Sequence, residues 1–321
     1  MSINSKIVGY GHCVPEKVLT NDDLSKIVDT NDEWISTRTG IKSRHIAETE
    51  TTSDLAMKAS QMALINAGLR ASDIDLVVLG TITPDYTTPA TALLVAKKIG
   101  IKEGVPAFDI SAACSGFVYA LTMADNMIRL GQAKNALVIG AETLSKITDW
   151  TDRGTCVLFG DGAGAVVLQA TENEQEKGVL STKIFAAGDY AENLKTSGGV
   201  SSTQTSGCII MDGKEVFKYA VSALANGAES ALKLAGLTTD DADWLLPHQA
   251  NIRIIDGTAQ KMGFDKSKVL TNIAQHGNTS AASIPLALSQ KVNDGTVKKG
   301  DIVVLTSMGA GFTWGGAVIR I

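Results

Sequence analysis

The feature that most constrains this chain is that it nearly repeats itself, at a shift of 168 to 169 residues. Residues 63–77 read ALINAGLRASDIDLV, and residues 231–245 read ALKLAGLTTDDADWL. Ala63, Leu64, Ala67, Gly68, Leu69, Asp73 and Asp75 thus match Ala231, Leu232, Ala235, Gly236, Leu237, Asp241 and Asp243. Each copy reads as a helix end, a glycine cap, a short loop and an apolar strand. The order continues with SAAC (111–114) and SAAS (280–283), NALVIG (135–140) and DIVVLT (301–306), and GAVVL (164–168) and GAVIR (316–320). Matches kept in one order indicate a duplication, and only two copies of this size argue against a solenoid.

Each half alternates strands with helices. Segments such as DLVVLG (75–80) have the near-continuous hydrophobicity of buried, largely parallel sheets. Phe117, Leu121 and Ile128, ahead of Gly131, show helical spacing. The expectation is an α/β protein of two similar halves, 1–172 and 173–321, packed on each other. Residues 188–207 are rich in Gly, Ser and Thr and read as a mobile surface loop.

The chain of 321 residues is long enough for a sizeable core, and 31 glycines against 5% aromatics point to close packing of small side chains. Its 29 basic and 34 acidic residues, a net charge of −5, argue against broad nucleic-acid binding. MSINSKIVGYG lacks the apolar core of a signal peptide, and no run approaches the roughly 18 apolar residues of a membrane helix. Cysteines 13, 114, 156 and 208 and histidines 12, 45, 248 and 276 lack metal-site spacing. A cytoplasmic protein with reduced thiols, no metal and no membrane contact is expected.

Cys114, in DISAACSGFVYAL (109–121), is either a small buried hydrophobe or a thiol held for chemistry. The repeat bears on this, because Cys114 and Ser283 open equivalent helices and a packing role would tolerate either residue. WLLPHQANIRI (244–254) and QHGNTSAASIP (275–285) concentrate polar groups at strand ends, where α/β proteins build sites. A thiol at a helix N-terminus is expected to fall from about 8.5 toward neutrality, and its backbone N–H to face an oxyanion. His248 taken alone reads as a core histidine; beside Asn251, Arg253 and Asn278 it reads as catalytic. Asn278 alone would serve as a cap for the helix near Ser280, and His276 reads as structural. GYGHCVP (9–15) meets a proline rather than a helix, and GDGAGAVVL (160–168) reads as a tight hairpin, so no nicotinamide cofactor is expected.

NDEWISTRTGI (31–41), DISAACSGF (109–117), DRGTCVLFGDGAG (152–164), EVFKYAV (215–221), HQANIRI (248–254), HGNTSAASIP (276–285) and GAGFTWGGAV (309–318) cover nearly the whole chain. Together they resemble the β-ketoacyl-acyl carrier protein synthase III family of the thiolase-like superfamily. The resemblance implies a duplicated, five-layered α/β/α/β/α fold and a homodimer; VPAFDIS (105–111), a strand too apolar for an open edge, points the same way. It implies that Cys114 is acylated by an acyl-CoA primer, with His248 and Asn278 completing a triad for decarboxylative condensation with malonyl-acyl carrier protein. Trp34, Arg38, Arg153 and Asn251 are the implied coenzyme A contacts, Trp34 and Arg153 stacking on adenine. Lys218, Arg253 and Lys261 would dock the acidic carrier protein. Gly309, Ala310 and Gly311 form the implied oxyanion loop, with Ala310 where relatives often carry glycine. Thr88 lies near the position where the partner subunit closes the primer pocket. No cofactor is implied. The rivals are a secondary-metabolite ketosynthase on the same fold, a thiolase (which would want a second cysteine near the C-terminus) and a non-enzymatic acyl-CoA binder (which would have lost Cys114 or His248).

Overall fold

The computed structural model describes residues 3–321. The strands are β1 (Asn4–Cys13), β2 (Val18–Thr20), β3 (Ser43–His45), β4 (Leu76–Gly80), β5 (Ala107–Ile110), β6 (Asn135–Thr143), β7 (Asp161–Thr171), β8 (Val179–Ala186), β9 (Leu194–Thr196), β10 (Ile209–Met211), β11 (Trp244–Pro247), β12 (Ile302–Gly309) and β13 (Thr313–Arg320). The helices are α1 (Asn21–Leu24), α2 (Asp32–Thr39), α3 (Thr52–Ala67), α4 (Thr91–Ile99), α5 (Gly116–Arg129), α6 (Val200–Thr203), α7 (Gly213–Ala235), α8 (Ile252–Lys261), α9 (Ile273–His276) and α10 (Ser283–Asn293). Among these described residues no helix is long and apolar enough to cross a membrane.

Two sheets dominate, with orders β1-β7-β6-β4-β5 and β11-β12-β13-β8. The run β1-β7-β6-β4 pairs antiparallel, antiparallel, parallel. So does β8-β13-β12-β11. The repeated segments therefore occupy repeated places. The sheets are mixed rather than largely parallel, because continuous hydrophobicity reports that both faces are covered and says nothing of strand direction.

The two-residue alternation of a strand distributes these side chains. Leu76 and Val78 of β4 join a central core that also holds Phe117 and Leu121 of α5, Leu288 of α10, and Val303 and Leu305 of β12. Val77 and Leu79 face the opposite way, onto Leu55, Ala59 and Ala63 of α3 and Val95 of α4. Val304 and Val318 turn to Ala228 and Leu232 of α7 and Ala259 of α8. With α5 and α10 between the sheets and the other long helices outside them, the layers run α/β/α/β/α.

Two local expectations are corrected. GDGAG is no hairpin turn: β7 begins at Asp161 and runs through it, with 17 residues (144–160) between it and the end of β6. Gly164 is glycine because α10 lies against it, and a Cβ there would sit 2.3 Å from the Leu286 nitrogen. Residues 188–207 are not an irregular loop either. They hold a 3-10 segment (Gly188–Asn193), strand β9 and the short α6, and β9 pairs with β10. Leu194 and Ile209 from this hairpin pack against Leu144, Ile147 and Phe159. That contact anchors a stretch whose composition reads as loop.

Candidate active site

Cys114 stands in a 3-10 turn (Ala113–Ser115) between β5 and α5, and Ser280 opens the corresponding turn (Ser280–Ala282) before α10. The two turns pack on each other. Ala113 and Ser280 both adopt positive φ, 46° and 49°, a conformation that costs a residue with a Cβ on the order of 1–3 kcal/mol. The first turn is held to the β12–β13 connection: Ser115 Oγ donates to the Thr313 carbonyl at 3.0 Å, and Thr313 Oγ1 to the Ala112 carbonyl at 2.9 Å. Gly309 lies against the nucleophile's backbone, where a Cβ would come within 2.5 Å of the Cys114 nitrogen. Ala310 is not among the residues with positive φ; that conformation falls on Gly311 (127°), so the departure from glycine at 310 leaves this turn intact.

His248 follows β11, and its backbone nitrogen donates to the Thr306 carbonyl at 2.8 Å. The ring is buried, with Nδ1 2.7 Å from Ser283 Oγ and, among the described residues, no partner on Nε2. Burial lowers its pKa to about 3, so the imidazole is neutral. Asn278 is fixed by its backbone, which donates to the Leu158 carbonyl and accepts from the Gly160 nitrogen. Its Oδ1 accepts from the Ser280 nitrogen at 2.8 Å. The amide orientation is thereby set, and Nδ2 keeps its hydrogens for another acceptor.

Cys114, His248 and Asn278 line one cavity of about 420 Å³, together with Trp34, Arg38, Asn251 and Arg253. The chain distance between Arg38 and Asn278 is thus closed by the fold. Cys114 also borders a second cavity of about 790 Å³, whose wall includes Ile82, Phe108, Leu144, Phe159, Ala310 and Gly311. Thr88 is exposed and lines neither cavity, whereas Tyr86, Thr87 and Ala90 line the larger one.

Other residues are placed less simply. The Trp34 ring has the Arg38 guanidinium 4.6 Å and the Arg153 guanidinium 4.9 Å from its centroid. Arg153 does not line the cavity, and it donates to the Asp29 carbonyl at 2.8 Å. Asn251 caps α8, accepting from the Arg253 nitrogen at 2.8 Å. Helices α7 and α8 pack together. Lys218 on α7 is exposed beside Glu215, and Lys261 on α8 donates to Ser222 at 3.0 Å. Arg253 lies 5.6 Å from the Phe217 ring. Phe217 and Lys214 also line the cavity, and sequence reading missed both. His276 stacks on His45 at 5.2 Å and contacts Gln290, away from these cavities.

The thiol corrects another expectation. Burial pushes Cys114 up to about 12; the nearby Ser280 hydroxyl pulls it down, and the charge of Glu142 raises it further. Desolvation outweighs the helix N-terminus. Glu142 is itself buried, and its Oε2 accepts from Thr83 Oγ1 at 2.5 Å and from the Ile82 and Thr83 nitrogens at 3.1 Å. Burial raises this carboxyl to about 7. Among the described residues no cluster of His, Cys, Asp and Glu is arranged to hold a metal ion.

Family profiles for 3-oxoacyl-[acyl-carrier-protein (ACP)] synthase III match residues 108–188, and for its C-terminal region residues 232–321. A β-ketoacyl-[acyl-carrier-protein] synthase III of Rhodospirillum centenum is 57% identical over 100% of both chains. The chain belongs to the β-ketoacyl-acyl carrier protein synthase III family. It is therefore a condensing acyltransferase, of the kind that initiates fatty acid synthesis. The Aquifex aeolicus synthase III crystal structure superposes with a TM-score of 0.94 at 48% identity, covering 99% of this chain and 100% of that one. The priming β-ketosynthase of the R1128 polyketide pathway gives a TM-score of 0.93 at 35% identity, covering 99% and 96%. The thiolase-like fold is the one described above.

Proposed function

We propose that Cys114 is the residue this synthase acylates, and that His248 and Asn278 stabilise the enolate of the incoming malonyl thioester. One observation carries the reading. His248 and Asn278 each have one polar atom already bonded within the protein, at Nδ1 and Oδ1, and each keeps a further nitrogen, Nε2 and Nδ2, for the cavity that Cys114 borders. Two neutral donors suit an oxygen that gains negative charge only during reaction.

In the first stage Cys114 Sγ bonds to the acyl carbonyl carbon, the carbon–sulfur bond to coenzyme A breaks, and the cysteine proton leaves with the departing thiol. The Cys114 backbone N–H faces the tetrahedral oxyanion. In the second stage the malonyl carboxylate leaves as carbon dioxide. Its electron pair forms the enolate, which attacks the acyl carbon and expels Cys114 Sγ, and the expelled thiolate takes a proton from solvent to restore the thiol. The departing carboxylate supplies the carbanion, so this scheme asks for no metal or redox cofactor.

Trp34, Arg38, Arg153 and Asn251 are proposed for coenzyme A, with adenine entering between Trp34 and a lifted Arg153. Lys218, Arg253 and Lys261 are proposed to receive the acidic carrier protein, and Gly309, Ala310 and Gly311 to shape the oxyanion side. A cytoplasmic homodimer in which Thr88 reaches the partner's primer pocket is proposed too. Its support is β5, a half-buried edge strand carrying Phe108 and Ile110. The halves are taken as residues 1–172 and 173–321.

The test is intact-protein mass after exposure to acyl-CoA, alongside release of labelled carbon dioxide from malonyl-acyl carrier protein. Cys114→Ser is expected to remain unacylated. His248→Ala and Asn278→Ala are expected to acylate and to lose decarboxylation. Failure of a folded His248→Ala to acylate would make the histidine the thiol's base instead. The likeness to a polyketide priming enzyme leaves a second primer class in play, and competition among acyl-CoA primers decides it by product mass.

A further inference from the structure

We infer that Ser283 is a positioning residue that fixes His248 in the Nε2–H tautomer, so that the ring meets substrate as a donor and not as a base. Ser283 is 1% exposed and His248 2% exposed, so neither turns to water for a partner. The Gln249 backbone nitrogen, 3.5 Å away, donates to Ser283 Oγ. Among the described residues the one acceptor in hydrogen-bond geometry with that hydroxyl is His248 Nδ1, at 2.7 Å.

The hydroxyl proton therefore goes to Nδ1, and the ring's own proton sits on Nε2. The opposite tautomer would aim Nδ1–H at the oxygen and leave both the buried serine proton and the Nε2 lone pair unpaired, one buried polar group more than the Nε2–H form leaves. An unsatisfied buried donor biases such an equilibrium roughly tenfold or more. Burial keeps the ring neutral, so no imidazolium form competes. Gln249 reinforces the arrangement: its Nε2 donates to the Pro247 carbonyl at 2.7 Å, and its Oε1 accepts from the Asn272 nitrogen at 3.0 Å.

The structure shifts the register read from SAAC and SAAS by two: the turns Ala113–Ser115 and Ser280–Ala282 correspond, so Ala281 takes the place of Cys114 and Ser283 opens α10 where Gly116 opens α5. One copy of the helix start presents a thiol to the cavities. The other presents a hydroxyl to the ring that serves them, and it lines neither cavity itself. The tautomer stands on these contacts alone, whereas its catalytic consequence rests on the role proposed above for His248.

The experiment is a long-range proton–nitrogen correlation spectrum of the uniformly labelled enzyme, with the His248 ring assigned by its loss in His248→Ala. The expected result is an Nε2–H pattern unchanged from about pH 6 to 8. An Nδ1–H pattern overturns the inference. Ser283→Ala is expected to mix the tautomers and to slow malonyl decarboxylation about tenfold, while acyl transfer to Cys114 stays within about threefold. An unchanged tautomer in that variant also overturns it. Should Ser283→Ala not fold, Ser283→Thr keeps the hydroxyl and is expected to retain Nε2–H, and loss of the pattern there refutes the assignment. A tautomer that mixes while decarboxylation stays normal leaves Ser283 as the positioning group and removes His248 from the reaction.

Discussion

Replacing Asn278 by aspartate separates what this side chain does for the fold from what it is proposed to do for the enolate. The Oδ1 atom accepts the Ser280 backbone N–H at 2.8 Å, and a carboxylate oxygen accepts it equally well. The backbone bonds to Leu158 and Gly160 do not involve the side chain. Asn278→Asp thus preserves the loop and exchanges one atom, the free Nδ2 donor, for a charged acceptor. Loss of one preorganised donor costs about 2.7–4 kcal/mol, or 10²–10³ in rate. Repulsion between the carboxylate and the growing enolate charge adds to this, so the decarboxylation rate is expected to fall by at least ~10³. Acylation of Cys114 precedes any enolate and is expected to stay within about tenfold of wild type. The assay pairs labelled carbon dioxide release with intact-protein mass on the same preparation, with urea denaturation as the control for folding. Decarboxylation within about threefold of wild type would refute the donor assignment, because no carboxylate replaces an N–H donor.

Arg253→Glu is expected to weaken use of malonyl-acyl carrier protein far more than acylation by free acyl-CoA, in a salt-dependent way seen by steady-state kinetics at two ionic strengths. Gly164→Ala drives a Cβ to 2.3 Å from the Leu286 nitrogen. A loss of about 3 kcal/mol or more in urea denaturation is expected. Glu142 has a carboxyl raised from 4.5 to about 7 by burial; its contribution to stability is full below pH 4.5 and lost as pH rises through 7. Wild type is therefore expected to lose about 3 kcal/mol relative to Glu142→Gln between about pH 4.5 and 8, and parallel stability curves would contradict this.

The duplication was legible because packing demands survive in sequence. The matched glycines at 68 and 236 end α3 and α7 in the left-handed conformation, φ 66° and 71°. Strand direction was not legible, since Val77 and Leu79 are buried whichever way their neighbours run. The Cys114 environment was misjudged for a related reason. A helix start is a local feature, whereas the desolvation that raises the thiol comes from cavity walls built by distant segments. Lys214 and Phe217 escaped notice because they lie on an amphipathic helix like many others. The packing of α7 on α8 brings Phe217 beside Arg253 and sets Lys214 on the same cavity. The sequence match paired Ser283 with Cys114, whereas the turns align Cys114 with Ala281, and the Ser283 contact is with a ring 35 residues away on another element.

In the proposed scheme the chemistry falls to a few residues at the seam between the two proposed halves. Cys114 comes from the β5–α5 connection of the first half; His248 and Asn278 come from connections of the second. Bonds across the seam hold the groups in place: Gly160 nitrogen to the Asn278 carbonyl at 3.0 Å, and Ser115 Oγ to the Thr313 carbonyl at 3.0 Å. The strained backbone at Ala113 and Ser280 sits at this seam too. Strain there is offset by the surrounding layers, which bury both turns. A rigid pair of sheets is thus the means by which two separate helix starts are kept at one fixed spacing. Preorganisation of the donors proposed at His248 and Asn278 depends on that spacing.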